Sequence, residues 1–390
     1  MSVVARTLCA AAAVALLAAP SATASKPISR QASAYRSVAI LQRAGLRVPL
    51  VVRPVMRRAL SVDEPALADT YQPGIAWEWQ WDAARLNEVP DSVLRAAVGV
   101  KIAVIDSGAD VSAPDLADKS PHTWSVLSRS TGVRDRLGHG TFVASLATGS
   151  VANGSGISGF GGDAQLLVVQ AIDSDGYITD VDEAAAIVYA VRHGAKIVNL
   201  SIGGTETSQV ERQAIRWAAR RGVLIVAAAG NEHDEGNQPE YPAALLQPLG
   251  SHGRGGIGLA VGATSMDGTR AYFSNTGSYL SLAAPGYNVF AAESADAPWP
   301  RAQLPWASPG YYGWASGTSF SSPEVAGVAA LVWAANPRLT AQQVAKVLKQ
   351  SATGTTWNRE LGWGRLDAAA AVELALRTPG LALRSATRVR

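Results

Sequence analysis

Four short stretches carry side chains suited to opening an acyl bond, and they stand far apart in the chain. They are Asp106 in Val104-Ile105-Asp106-Ser107-Gly108, His139 in Gly138-His139-Gly140-Thr141, Asn231 in Ala228-Ala229-Gly230-Asn231, and Ser319 in Gly317-Thr318-Ser319-Phe320-Ser321-Ser322-Pro323. A hydroxyl is a weak nucleophile at its ordinary pKa. A reacting serine therefore needs a base beside it, an acid to orient that base, and a donor for the developing oxyanion. The four stretches supply one part each, in the order acid, base, serine. Taken singly, each has a plainer meaning: a turn for Asp106 or Asn231, a hydrogen-bonded core or surface position for His139, a helix cap for Ser319.

The elements that must carry these residues are legible from patterning. Ser319 stands at the start of an apolar helix that runs through Trp333 and stops at Asn336-Pro337. Its nearly all-apolar sides predict a buried helix. Pro323 is tolerable only if its missing N–H falls among the donors left unpaired at a helix start, so the helix is expected to begin close to Ser319. The β-branched run 100–105 delivers Asp106 at a strand's carboxyl end, where open α/β sheets hold their sites. His139 enters a helix over 142–147. The pattern then repeats as strand 166–171, helix 181–193, strand 196–201, helix 208–221 and strand 223–228. Such alternation predicts an α/β fold of three layers, a mostly parallel sheet with helices on both faces. Residues 241–316 read as irregular strands and loops, with a Pro/Trp-rich rim between Ser294 and Tyr312, and Trp77, Trp79 and Trp81 read as packing.

Composition narrows the setting. Arg6, the apolar run from Leu8 to Ala19 and the small residues Ala22-Thr23-Ala24 fit a secretory leader over 1–24, so a secreted, extracellular product without a stable membrane anchor is expected. The single cysteine, Cys9, falls inside that leader, which leaves the mature chain no disulfide. The formal charge of +3 hides an asymmetry: residues 1–62 hold nine basic and no acidic side chains, and 377–390 hold four and none. Residues 63–376 are left with 21 basic against 31 acidic groups, a net of about ten negative charges. The basic balance therefore does not point to nucleic acid; it suggests either a basic arm docking on an acidic body or, equally, a flexible arm that only solubilises.

With these residues assembled, residues 71–376 resemble a subtilisin-like serine protease, a subtilase. The order of the triad matches that family, while an esterase of the α/β-hydrolase type fails on that order and on Ser321 where its elbow motif wants glycine. The resemblance implies a subtilisin-like fold, with Asp106 as orienting acid, His139 as general base, Ser319 as nucleophile and the Asn231 amide in the oxyanion hole beside the Ser319 N–H. It implies a polypeptide substrate held as an added strand by two backbone rails, Gly176-Tyr177-Ile178 and Ser201-Ile202-Gly203. The first side-chain pocket would be lined by 201–204, 227–231 and the residues before Tyr241. Glu240, at that pocket's base, would favour a basic residue before the scissile bond if it faced inward; the favoured reading turns it to solvent.

Departures from the family pattern are confined. Phe142 and Ser145 stand where the family often has histidine and glycine, as packing changes on the base-bearing helix. Residues 25–70 form a basic prosegment or linker, short for a folding-assisting inhibitor domain, and 377–390 a basic tail. No cofactor is required for the chemistry; calcium finds only a weak candidate in 153–159, and no metal ligands are assigned. The expected protein is a monomeric secreted serine endopeptidase working through an acyl-enzyme, its partners being peptide substrates and its own prosegment. The alternative is a non-catalytic module that uses the rails to bind peptide.

Overall fold

Aliphatic and β-branched runs ended by glycine or polar residues become strands, and longer Ala- and Val-rich runs become the helices that cover them. The computed structural model describes residues 40–46, 56–59, 77–151, 156–299, 301 and 311–380. The leader and most of the C-terminal tail lie outside the described residues. In chain order the strands are β1 (Met56–Ala59), β2 (Lys101–Asp106), β3 (His122–Ser125), β4 (Gln165–Gln170), β5 (Tyr177–Thr179), β6 (Ile197–Leu200), β7 (Ile202–Gly203), β8 (Leu224–Ala228), β9 (Gly258–Thr264), β10 (Leu282–Pro285), β11 (Val289–Ala292) and β12 (Tyr312–Ala315). Seven of them form one sheet in the order β10-β9-β8-β6-β2-β4-β3, and every neighbouring pair is parallel. The stretch expected as irregular strands and loops contributes two regular strands, β9 and β10, to the main sheet, and β11 and β12 pair as an antiparallel ribbon.

The longer helices are α1 (His139–Thr148), α2 (Asp180–Arg192), α3 (Gln209–Arg220), α4 (Thr318–Ala335), α5 (Ala341–Ser351) and α6 (Ala368–Arg377). Alternation along the strands sorts the core into two layers. Ile102, Val104, Val168, Leu224 and Val226 face α1, α4, α5 and α6, whereas Ala103, Ile105, Val169, Ile225 and Ala227 face α2 and α3. α4 is buried on all sides through Trp333, as its composition requires. The tryptophans pack: Trp77 lies 4.8 Å from Trp314 and Trp81 5.8 Å from Phe160, centroid to centroid.

Two pieces of the basic arm are part of this body. Leu41 and Leu46 are buried in the layer of α2 and α3, and the Trp217 indole donates to Ala44 O at 3.0 Å. Further on, β1 forms a three-stranded sheet in the order β5-β1-β7, antiparallel to both neighbours.

Candidate active site

Because the sheet is parallel, the strand ends bearing Asp106, Ser201 and Asn231 emerge at one edge, with Ile105 level with Leu200 and Leu200 level with Ala227. Asp106 is fully buried. Its Oδ1 accepts from the Ser107 N–H at 2.7 Å and lies 2.8 Å from His139 Nδ1. A carboxylate only accepts, so the ring proton that faces Asp106 sits on Nδ1.

His139 is the first residue of α1, and two glycines let that helix start against β2. Gly138 adopts φ +84°, and a Cβ there would lie 2.7 Å from the Ala297 Cβ; a Cβ on Gly140 would collide with Gly108 O. Asp135 fastens the turn. Its Oδ1 accepts from Leu137 N–H, Gly138 N–H and the Ser107 hydroxyl, and its Oδ2 from the N–H and hydroxyl of Thr141. Burial pushes the Asp135 carboxyl above the usual range, and these donors oppose the shift. Sequence patterning alone gives Asp135 no role. An acid three residues before Gly-His-Gly and six before Thr141 was the available signal.

Ser319 is the second residue of α4 and fully buried. Its Oγ donates to Ser201 O at 3.3 Å, and the Phe320 ring next to it lies 5.5 Å from the His139 ring. The expectation about Pro323 needs correction. With α4 starting at Thr318, Pro323 lies inside the helix, and its missing N–H leaves Ser319 O without its usual partner. The Ser201 hydroxyl donates to that carbonyl instead at 2.6 Å, itself accepting from Asn199 Nδ2 at 2.9 Å. A side chain on the rail thus repairs the backbone beneath the serine, a role invisible without the fold.

Asn231 Oδ1 accepts from the Thr318 N–H at 2.8 Å and the Thr318 hydroxyl at 3.0 Å. This orients the amide, and its Nδ2 is buried with no hydrogen-bond partner among the described residues. An unspent donor so close to Ser319 is the arrangement that can receive a developing oxyanion.

The rails Gly176-Tyr177-Ile178 and Ser201-Ile202-Gly203 flank β1. Arg57 stands opposite Ile178, Arg58 opposite both Tyr177 and Gly203, and Ala59 opposite Ile202. Glu240 is not turned to solvent as favoured from the sequence: it is 4% exposed. Gly230 has no Cβ, and one there would sit 2.8 Å from Glu240 Cγ and crowd the Asn275 amide. The bridge between Gly204 and Tyr241 draws the whole segment inward. Phe142 and Ser145 are packing residues: Phe142 lies 4.6 Å from the Phe320 ring, and Ser145 Oγ accepts from Ala292 N–H at 3.2 Å. Part of the expected rim also packs against the interior, since the Trp299 ring lies tilted 5.7 Å from Phe142.

A parallel sheet covered on both faces, with its polar residues gathered at the carboxyl edge, defines an α/β enzyme. The model of the subtilase family matches residues 97–364. Thermitase of Thermoactinomyces vulgaris is 34% identical over 280 residues, covering 70% of this chain and 89% of thermitase. Subtilisin BL of Lederbergia lenta is 34% identical over 273 residues, covering 70% and 90%. Among solved structures, fervidolysin of Fervidobacterium pennivorans, described as a keratinolytic enzyme related to subtilisin, gives a TM-score of 0.68 at 24% identity. That match covers 84% of this chain and 52% of the other, so the chain spans about half of fervidolysin, and the likeness speaks for the fold alone. The chain belongs to the subtilase family and is a serine endopeptidase. The non-catalytic alternative finds no support in these relatives.

Proposed function

We propose that the peptide bond is cut by Ser319, with His139 as general base, Asp106 as its orienting acid and Asn231 as oxyanion donor. His139 Nε2 takes the hydroxyl proton as Ser319 Oγ bonds to the carbonyl carbon. Asp106 holds the resulting imidazolium, and the Asn231 Nδ2 and the Ser319 N–H steady the oxyanion. The C–N bond then breaks as the imidazolium returns the proton to the leaving amine. Water, deprotonated by His139, attacks the acyl-enzyme and frees Ser319.

One observation carries this reading. A strand of the chain's own arm, β1, runs antiparallel between both rails and advances, through Ala59 opposite Ile202, toward Ser201, whose carbonyl accepts from Ser319 Oγ. The groove beside the nucleophile takes an extended peptide as a sheet strand. The arm is then a prosegment that the enzyme removes, with cleavage beyond Ala59. Purified wild type is expected to begin between Leu60 and Tyr71, whereas Ser319→Ala keeps the arm and is not labelled by a fluorophosphonate. An active wild type that retains the arm, or Ser319→Ala that retains peptidase activity, refutes the assignment.

Three finer properties follow. With the leader over 1–24 the product is secreted, and it works as a monomer without a membrane anchor. The inward Glu240 makes a basic residue before the scissile bond the preferred one. Calcium, expected near 153–159, of which 153–155 lie outside the described residues, would be held through Asp115 and Glu78. The Ile157 N–H donates to buried Asp115 and the Ser158 N–H to Glu78, both at 2.9 Å. Burial, with Asp115 and Asp82 nearby, pushes Glu78 up to about 8, as expected of clustered carboxyl groups short of positive charge. Hard divalent cations take such oxygens. Among the described residues no group of three or more acidic, histidine or cysteine ligands gathers, so these two carboxyl groups would need further oxygens to hold the ion. The ion would brace the loop and take no part in hydrolysis. Chelation should lower the melting temperature of wild type but not of Asp115→Asn; equal sensitivity of the two removes this site.

A further inference from the structure

A cavity of about 610 Å³ lies between the loop preceding β9 and helix α5. Its loop wall, residues 253–257, leads directly into the amino end of β9, whereas Asp106 and Asn231 emerge at carboxyl ends. The seven residues of β9 span about 20 Å, so the cavity opens at the sheet edge opposite the peptide cleft. Nothing in the hydrolytic mechanism uses it.

Its lining is chemically one-sided. Arg254, Lys346 and Lys349 contribute three cations, and no lining residue is acidic. The floor and walls between them are apolar, formed by Ile257, Ala345 and Trp363. Lys349 is the telling member. It is 8% exposed, and its ammonium donates to Gly255 O at 3.0 Å and Gln247 Oε1 at 3.4 Å, both neutral acceptors. An ammonium has three N–H donors, and these two contacts leave one. No carboxylate pairs with Lys349, Lys346 or Arg254 among the described residues. Burial accordingly pulls the Lys349 ammonium down to about 8, with no acid opposing the shift. A buried cation without a counter-ion is costly, and a bound anion would offset that cost. The volume is that of a small-molecule pocket, in which an apolar body fills the space and a few polar groups fix orientation.

We infer that this cavity is a second ligand site, taking a small organic molecule that carries a carboxylate on an apolar body. The carboxylate would lie at Lys349, flanked by Lys346 and Arg254, with the body against Trp363. Free aryl or alkyl acids and the carboxyl end of a short peptide share this chemistry.

The test is titration calorimetry at pH 7 on the full chain carrying Ser319→Ala, which blocks self-digestion, with three probes: 2-naphthoate, its neutral isostere 2-naphthamide, and N-acetylphenylalanine. At least one acid should bind about tenfold more tightly than the amide, the step expected for one charge-assisted hydrogen bond. The acid that binds identifies the source: naphthoate a free organic acid, N-acetylphenylalanine a peptide end. Lys349→Met should weaken that acid about tenfold, and the exposed pair Arg254→Gln with Lys346→Gln, which does not disturb the core, about threefold. Cooperative melting of each variant establishes that it is folded. No binding of either acid, an amide that binds as tightly, or acid affinity unchanged when the charges of the exposed pair are removed overturns the inference.

Discussion

Replacing Ser201 by alanine tests whether a rail side chain holds the backbone of Ser319, the proposed nucleophile, in place. The Ser201 hydroxyl donates to Ser319 O at 2.6 Å and accepts from Asn199 Nδ2 at 2.9 Å, and all three residues are fully buried. Pro323 cannot donate to Ser319 O, so Ser201→Ala removes the side-chain donor that stands in for the missing i+4 N–H. An unmet buried polar group costs about 1–3 kcal/mol, and the change takes a partner from both the carbonyl and the Asn199 amide, for a total of about 2–6 kcal/mol. Denaturant unfolding followed by tryptophan fluorescence, in a Ser319→Ala background so that self-digestion does not intervene, measures the loss. In the active background, kcat should fall while KM changes little, because the hydroxyl touches the helix and not the substrate. The decisive arm is Pro323→Ala. It gives residue 323 an N–H that can reach Ser319 O, so it should be near neutral alone yet recover about 1 kcal/mol or more when added to Ser201→Ala. Strict additivity of the two changes, or a Ser201→Ala loss under about 0.5 kcal/mol, would refute the reasoning.

Further expectations concern the site and its surroundings. Asn231→Leu removes the one oriented side-chain donor and should lower kcat about 100- to 1000-fold with KM little changed, read from steady-state hydrolysis of a fluorogenic peptide; a loss in KM alone would make Asn231 a binding residue. Glu240→Gln should lower the ratio of cleavage after Arg to cleavage after Leu, and an unchanged ratio removes the inward charge from specificity. Burial, only partly offset by Arg301, raises Glu293 from 4.5 to about 7. Its folded pKa exceeds its unfolded one, so its protonated form is fully accommodated below pH 4.5, and stability is lost as the pH rises from there through 7. Glu293→Gln should flatten that window and be more stable than wild type above it, by up to about 3 kcal/mol in denaturant unfolding at pH 8; parallel pH profiles for the two proteins exclude this role.

The sequence by itself determined most of the architecture, because hydrophobic periodicity is a local property of the chain. The apolar runs before Asp106 and Asn231, the glycine-stopped helices α2 and α3 and the all-apolar α4 each declared their element and burial. Chain order then set the triad residues at strand and helix ends of a parallel sheet. Tertiary structure alone decided what depends on approach between distant segments. Glu240 looks like any charged residue before a Tyr-Pro turn, and only the bridge of Gly204 to Tyr241 with the missing Gly230 Cβ turns it inward. β9 and β10 read only as irregular strands in the sequence because Gly258, Gly262 and Pro285 weaken their local signal, and pairing of β9 with β8 and of β10 with β9 supplies what propensity lacks. The repair of Ser319 O by Ser201, and the seating of β1 between two rails, join residues more than a hundred positions apart. A hydrogen bond across that separation leaves no local trace in sequence, since it exists only once burial has brought both partners to the same place.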